Sequence, residues 1–285
     1  MIIALIQTLN AIAILALISV GLAIIFGMMR VMNFAHGEFL MLGAYSLKVA
    51  TSNGINIWLS MFVVAPLFVG LVGVLVERLV VRWLYGRMLD TLLATWGISL
   101  FITGLITMIF GNITQGVSTP LGSFAINGIR ESSYKFLIIG VTIALFAGIY
   151  IVLRYTRVGQ ISRATMDNPA QVAVLGVNPG IVYTLTFAVG AALTGLAGAL
   201  LAPLTGVLPT MGATYVGKAF ITVIAGGDAI LTGTAASATL FGLINQVVTI
   251  RLTAEFGEVA LLLGALVVLR VLPRGLSGLF RRKAL

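Results

Sequence analysis

Long apolar runs separated by short polar segments dominate this sequence. Six of the runs are clear, and they cover residues 2–29, 58–76, 91–110, 136–153, 181–204 and 259–272. A helix needs about 20 apolar residues to cross the hydrocarbon core of a bilayer. The pattern therefore predicts an all-α protein, a polytopic bundle of transmembrane helices.

Two further apolar stretches are less regular than these six. Residues 34–50 contain ionisable side chains, and residues 215–248 are too many for a single crossing. The second stretch is interrupted at Gly226, Gly227 and Asp228. We expect it to divide there into two segments, at about residues 215–225 and 234–248, of which the first is short enough to be re-entrant or tilted instead of a full span.

Basic residues predict which ends of the spans face the cytoplasm. They form three clusters, which are Arg78, Arg82 and Arg87; Arg154, Arg157 and Arg163; and Arg270, Arg274, Arg281, Arg282 and Lys283. The positive-inside rule assigns all three clusters to the cytoplasm, and two clusters on one side must be joined by an even number of crossings. The sequence thus predicts about eight or nine spans, with the N-terminus outside and the C-terminus in the cytoplasm.

Composition supports a membrane protein and excludes several kinds of site. The chain of 285 residues is 60% hydrophobic and 9% charged, whereas about a quarter of the residues of a soluble domain are charged. The net charge of +9 is carried between the apolar runs, which favours orientation in membrane lipid over binding of nucleic acid. Because cysteine is absent, disulfides, thiolate catalysis and cysteine metal sites are excluded.

The longest predicted cytoplasmic loop, residues 154–178, carries the signals of a short helix. Asp167 and Asn168 suit an N-cap, and Pro169 suits the first helical position. Gly176 suits a left-handed stop after the last turn. A short helix flanked by arginines can dock into a groove on a soluble partner, and the alternative is a loop that lies at the membrane interface.

Three segments of the chain carry a family resemblance. They read GLAIIFGMMRVMNFAHGEFLMLGAY at residues 21–45, RATMDNPAQVAVLGVNPGIVYTLTFAVGAALTGLAGALLAP at residues 163–203 and RVLPRGLSGLF at residues 270–280. They resemble the inner-membrane permease of branched-chain amino-acid ABC importers, a family that also contains the urea permeases. The similarity covers nearly the whole chain, so it implies a single transmembrane permease domain over residues 1–285, with residues 154–178 as its cytoplasmic coupling loop.

The resemblance implies a permease subunit of an ATP-binding-cassette importer in the bacterial inner membrane. Its substrates would be branched-chain or other hydrophobic amino acids; urea or a short-chain amide is the alternative, and an ion-coupled secondary transporter is a further one. The implied partners are ATPase subunits, a second permease that is homologous or identical, and a periplasmic substrate-binding protein, and no cofactor is implied. The residues that would couple this chain to the ATPase are Arg163, Asp167, Asn168, Pro169, Ala170, Val174 and Gly176.

Polar residues and glycines inside the apolar stretches are candidates for a pore or a gate. They are Asn33, just before residues 34–50; His36 and Glu38, within residues 34–50; and Gly226, Gly227 and Asp228, within residues 215–248. Ionisable groups inside a span are costly and tend to face the bundle interior or water. We interpret residues 33–38 as the entry to a helix near the cytoplasmic face. There we expect a structural role for His36 and Glu38, with direct contact with the solute as the alternative.

No motif in the sequence predicts catalysis or a metal site. Residues 212–218 match the start of a phosphate-binding loop, but Ala219 stands where the loop needs a hydroxyl for Mg²⁺. We therefore expect no enzyme, and ATP hydrolysis would belong to a separate subunit. A repeat of small residues at Ala191, Gly195 and Ala199 predicts close packing of one helix against another.

Overall fold

The computed structural model describes residues 2–126, 129–227, 229–273 and 275–278. It is 81% helical, which confirms the all-α class. Each apolar run predicted from the sequence corresponds to a helix. This follows because only a helix satisfies every backbone N–H and C=O within one apolar segment.

The helices and strands follow one another in a simple order. They are α1 (Ile2–Met29), α2 (His36–Ser52), α3 (Ile57–Leu59), a π-helical segment (Ser60–Val64), α4 (Ala65–Leu79), a 3₁₀ turn (Val81–Leu84), α5 (Met88–Phe110), β1 (Ser123–Ile126), β2 (Ile129–Ser132), α6 (Tyr134–Tyr155), α7 (Arg157–Asp167), α8 (Pro169–Val174), α9 (Pro179–Thr205), α10 (Met211–Gly226), α11 (Ile230–Arg251) and α12 (Ala254–Val271). The strands form an antiparallel hairpin that the apolar pattern did not predict. The π-helical segment precedes Pro66, which lacks the N–H that would continue the α-helical bonds.

Six segments in the described part of the chain are long and apolar enough to cross a membrane, and they make this a multi-pass membrane protein. They are Ile2–Met29, Ile57–Leu79, Met88–Phe110, Tyr134–Tyr155, Pro179–Thr205 and Ile230–Arg251. The helix α12 is not among them, although a clear span was predicted there, because its 18 residues include Glu255, Glu258 and Arg270. The long stretch divides where predicted, since α10 ends at Gly226 and α11 begins at Ile230.

One compact unit comprises Val20–Val117 and Ala147–Val216, and α9 is its central helix. Glycines let the backbones of α9 and α2 touch. A Cβ atom at Gly198 would come 1.8 Å from the carbonyl oxygen of Leu40, and one at Gly43 would come 2.0 Å from the carbonyl oxygen of Gly195. Without a hydrophobic effect between helices in lipid, such close backbone contact is a main source of attraction.

The small residues singled out on α9 lie in these helix contacts. A Cβ atom at Gly195 would come 2.6 Å from Val69 of α4, and one at Gly73 of α4 would come 2.5 Å from the methyl group of Ala191. Ala191 and Ala199 are fully buried. The repeat therefore faces the interior of this unit, and Ala191 and Gly195 lie where α4 and α9 approach closely.

The other compact unit comprises Met1–Ser19, Ser118–Phe146 and Gly217–Leu285. In it α11 packs against α12. The Ser237 hydroxyl of α11 donates to the carbonyl oxygen of Thr222 in α10, at 2.5 Å. Gly242 of α11 is in close contact with Ile12 of α1. Backbone contacts at small residues thus join the helices of this unit as well.

Glu131 ties the hairpin to two helices of the same unit. Its carboxylate accepts hydrogen bonds from Lys135 of α6 at 2.5 Å and from Gln7 of α1 at 2.7 Å. The hydrogen bond from Lys135 is the main reason why the pKa of Glu131 lies below its ordinary value of 4.5. A carboxyl group with a lowered pKa in the folded state stabilises that state above the ordinary value, and the contribution is lost as the pH falls through the lowered pKa.

We therefore expect Glu131→Gln to lower the melting temperature of the purified protein at pH 7, by the equivalent of about 1 kcal/mol. The difference from the wild type is expected to shrink as the pH is lowered well below 4.5, because the wild-type carboxylate is then protonated too. Thermal unfolding in detergent across this pH range measures it. Glu255→Gln is the matched control. Glu255 also accepts a hydrogen bond, from Thr253, which lowers its pKa, but the group is exposed to water, so the change in melting temperature should be much smaller. If Glu131→Gln lowers the melting temperature equally at every pH, the charge of Glu131 does not stabilise the folded state.

Candidate functional site: the coupling segment and the buried polar residues

Residues 154–178 contain two helices, α7 and α8, where the sequence predicted one. Thr156 caps α7, because its hydroxyl oxygen accepts from the N–H of Gly159 at 3.2 Å. The buried residues of α7 are Gly159, Ser162 and Thr165, and their spacing of three places them on one face of a helix. These small residues, with Thr156 before them, are the signal in the sequence that would have predicted α7.

The ends of α8 are built from the predicted residues, with one correction. Asn168 is the N-cap, and its side-chain oxygen accepts from the N–H of Gln171 at 3.1 Å, while Pro169 is the first helical residue. Gly176 follows the helix with a positive φ of 86°, the conformation that glycine adopts most readily. Asp167 was expected to share in the N-cap, but it is the last residue of α7. It cannot cap α8 because it still has helical backbone geometry.

The two helices and Leu175 after them have exposed apolar side chains. They are called the coupling segment from here on, after the role that the family resemblance implies. Val172 is buried, whereas Val174 is 88% exposed and Leu175 is 82% exposed. Ala170 on α8 and Arg163 on α7 are exposed too. Leu175 was not among the predicted contact residues, although its position beside the glycine stop could have indicated it. Adjacent exposed apolar groups outside the apolar runs are available for contact with a protein partner or with the membrane interface.

The polar residues at the start of α2 are buried, and each has at least one polar contact. Asn33 caps the turn before α2, since its side-chain oxygen accepts from the N–H of Ala35 at 3.1 Å. The Nδ1 atom of His36 lies 3.3 Å from the hydroxyl of Thr194, and Glu38 accepts from the hydroxyl of Ser99 at 2.8 Å. His36 and Glu38 therefore face different neighbours, as expected for residues two apart on a helix.

The depth of this polar cluster differs from the sequence-based interpretation. Thr194 lies near the middle of α9 and Ser99 near the middle of α5. The start of α2 therefore lies beside the middle of two long helices, whereas the sequence predicted an entry near the cytoplasmic face. Hydroxyl groups of Thr194 and Ser99 take the place of water beside His36 and one carboxylate oxygen of Glu38. The amide nitrogen of Asn33 has no hydrogen-bond partner among the described residues.

The other predicted pore or gate residues belong to the turn between α10 and α11. Gly226 ends α10, and a Cβ atom at Gly233 would come 2.3 Å from its carbonyl oxygen. Gly227 has a positive φ of 79°. Asp228 lies outside the described residues. The Leu276 N–H donates to the carbonyl oxygen of Ala225 at 2.8 Å, so the segment after α12 is bonded to the end of α10.

The structure also decides how the segment resembling a phosphate-binding loop is folded. Gly212 and Lys218 lie within α10. A phosphate-binding loop wraps its free N–H groups around the phosphates, and in a helix most of these groups are bonded to carbonyls. Lys218 forms an ion pair with Glu258 at 2.5 Å. Among the described residues, no group of three or more His, Asp or Glu side chains is arranged to hold a metal ion.

Comparisons with known proteins give a consistent assignment. Residues 4–272 match the family model described as branched-chain amino acid transport system / permease component. The chain is 28% identical over 279 residues to the high-affinity branched-chain amino acid transport system permease protein LivH of Escherichia coli (strain K12), with 92% of this chain and 91% of the relative covered. It is 28% identical over 243 residues to the permease protein BraD of Pseudomonas aeruginosa, with 80% and 79% covered.

A more distant relative agrees. The probable branched-chain amino acid transport permease protein LivH of Methanocaldococcus jannaschii is 26% identical over 285 residues, with 94% of this chain and 90% of the relative covered. No solved structure matches the chain. The family model covers nearly the whole length of the membrane bundle. The chain therefore belongs to the family of permease components of branched-chain amino acid transport systems.

Proposed function

We propose that this chain forms half of the translocation pathway of an importer for branched-chain amino acids, driven by ATP that a separate subunit hydrolyses. The observation that carries the proposal is the exposed coupling segment in a chain of this permease family. The partners of the proposed complex are two ATPase subunits, a second permease of the same or a similar sequence and a periplasmic substrate-binding protein. The proposed location is the bacterial inner membrane.

The coupling segment has the properties of a docking element for the ATPase. Its helix α8 is capped by Asn168, contains the buried Val172 and is in contact with α7. The exposed Val174 and Leu175 supply apolar contact area of the kind that a groove on a partner accepts. The exposed arginines Arg154, Arg157 and Arg163 support a cytoplasmic position, on the side where ATP is available.

Contacts within each unit support nine crossings with the N-terminus outside. In the unit centred on α9, Lys48 donates to the carbonyl oxygen of Gly116 at 3.2 Å. In the other unit, Lys218 pairs with Glu258. The crossing pattern assigns both members of each pair to the outer side. If residues 215–248 crossed the membrane once instead of twice, Lys218 and Glu258 would lie on opposite sides of it.

The buried cluster at the start of α2 is the proposed pore or gate region. Asn33, His36 and Glu38 are each at most 4% exposed, and His36 and Glu38 lie beside the middle of long helices. Ionisable groups at such a depth commonly mark the path of a solute. The glycines Gly226 and Gly227 are proposed as a flexible turn that allows α10 to move when the pathway opens.

Uptake by the complete complex tests this function. The chain is reconstituted into proteoliposomes with its second permease, ATPase and binding protein, and radiolabelled leucine and urea are offered with and without enclosed ATP. We expect leucine to accumulate only when ATP and the binding protein are both present, and urea to be excluded. Leucine accumulation that needs an ion gradient and no ATP would overturn the proposed mechanism, and uptake of urea alone would overturn the proposed substrate.

A further inference from the structure

Glu77 is fully buried at the end of α4 although it carries a carboxyl group. Burying such a group is costly unless hydrogen bonds replace those to water. Here both carboxyl oxygens have partners. The hydroxyl of Tyr85 donates to one oxygen, and the hydroxyl of Thr184 lies 2.8 Å from the other. Burial, and next the hydrogen bond to Glu77, raise the pKa of Tyr85, so the tyrosine keeps the proton that it donates.

These contacts join three elements of one unit. Glu77 belongs to α4, Tyr85 follows the 3₁₀ turn after α4, and Thr184 lies in the second turn of α9. The ring of Tyr85 also packs edge-on against the ring of Tyr183, with 5.1 Å between their centres. Rotation or translation of α9 near Thr184 must therefore move α4 as well, or break the hydrogen bonds of Glu77.

The same part of α9 is directly connected to the coupling segment. The helix α8 ends at Val174 and α9 begins at Pro179, and both α7 and α8 contact α9. Asn178 caps α9 by accepting from the N–H of Gly180 at 2.9 Å. The Thr184 hydroxyl also lies 3.0 Å from the carbonyl oxygen of Gly180. A short series of bonded residues thus leads from the end of α8 to Glu77.

We propose that Glu77 is a positioning residue for transport: it transmits the ATP-driven movement of the coupling segment from the start of α9 to α4. The inference rests on the proposed function, since it needs a partner that moves α7 and α8. Its physical basis is the directionality and stiffness of the hydrogen bonds to Glu77. A carboxyl group that accepts from two hydroxyls on different elements holds them in one geometry more strictly than apolar contact does.

A purely structural role would have different consequences. If Glu77 only stabilised the fold, its replacement would lower the yield of complex, and the complex that remained would still transport a normal amount of leucine for each ATP hydrolysed. If Glu77 transmits movement, the assembled complex would hydrolyse ATP with less transport. The ratio of leucine transported to ATP hydrolysed, measured on equal amounts of assembled complex, distinguishes the two roles.

The test compares Glu77→Gln and Tyr85→Phe with the wild type in reconstituted complexes. Glu77→Gln keeps the shape of the side chain but can no longer accept from both hydroxyls, and Tyr85→Phe removes one hydroxyl only. For Glu77→Gln we expect the transport ratio to fall about tenfold, the size that loss of a hydrogen bond to a charged group allows, with ATP hydrolysis retained. Glu77 and Tyr85 share one hydrogen bond. The transport ratio of the double variant should therefore fall by no more than the two single variants combined, and its value should be closer to that of Glu77→Gln alone.

Tyr45→Phe is the matched control, because Tyr45 is a buried tyrosine of α2 whose hydroxyl has no hydrogen-bond partner among the described residues. It should transport like the wild type. If Glu77→Gln does not assemble, Tyr85→Phe decides the question with the same ratio. A normal ratio in the assembled variants would overturn the role of Glu77 while leaving the proposed function intact. Absence of ATP-dependent uptake in the wild type would instead defeat the proposed function itself.

Discussion

Replacing Gly198 by valine is expected to abolish the packing of α9 on α2 and the recovery of folded protein. A Cβ atom at this position would stand 1.8 Å from the carbonyl oxygen of Leu40, far inside van der Waals contact. The position of the Cβ atom is fixed by the backbone of α9, and the carbonyl oxygen belongs to the backbone of α2. Neither atom can therefore rotate away, and the two helices must separate. Overpacking of a core ordinarily costs about 1–3 kcal/mol. Separation of two backbones in contact also removes the close packing on which helix association in lipid depends.

The matched control for Gly198 is Gly104, which lies inside α5. Apart from the backbone of α5 itself, no heavy atom of the described residues lies within 4 Å of a Cβ atom added there. Gly104→Val is expected to behave like the wild type. The measurement is the amount of monodisperse protein recovered in detergent, followed by its melting temperature. Equal recovery of the two variants would mean that α9 and α2 are not packed as closely as described.

The combined change of Ala170→Asp and Val174→Asp is expected to abolish leucine uptake without disturbing the membrane bundle. Both residues are exposed on α8, so the change removes no internal contact of the chain. In the proposed complex they would face an apolar groove of the ATPase. Two unpaired carboxylates in such an interface would each cost several kcal/mol, enough to prevent docking. We therefore expect uptake to fall more than tenfold and the ATPase to be lost during purification.

The control for this prediction is Ile113→Asp. Ile113 is a 63% exposed apolar residue in the segment after α5, which the crossing pattern assigns to the opposite side of the membrane. This variant should retain both the ATPase and leucine uptake. Full uptake by the Ala170 and Val174 variant would show that the ATPase binds elsewhere on the chain. Loss of the permease pair along with the ATPase would show that α8 serves assembly and not coupling.

Much of the local structure could be predicted because it depends on short stretches of sequence. The run of residues 2–29 matches α1 to the residue, since an apolar segment in lipid has to form a helix. Asn168, Pro169 and Gly176 were predicted to bound α8 because each acts on the backbone next to it. The error at Asp167 has the same origin: two adjacent residues both suit a cap, and only the preceding helix α7 decides between them.

Contacts between helices could not be predicted in the same way. In a soluble protein the polar face of a helix shows which side is buried, but lipid and protein interior are both apolar, so most spans carry no such signal. The depth of His36 and Glu38 is one example, because it depends on where α2 starts beside α9 and α5. The hairpin of β1 and β2 is another, since its short strands lie outside every apolar run.

By itself the sequence determined the class of the protein, the positions of its long apolar helices, the likeness to a permease family and most of the residues that bound α8. All of these depend on composition, on apolar length or on neighbouring residues. The tertiary structure alone decided which residues meet. Thr184 is 107 positions from Glu77 along the chain, and Gly198 reaches Leu40 across two helices. Such pairs form only when whole helices pack, and the packing depends on the combined shape of all their side chains.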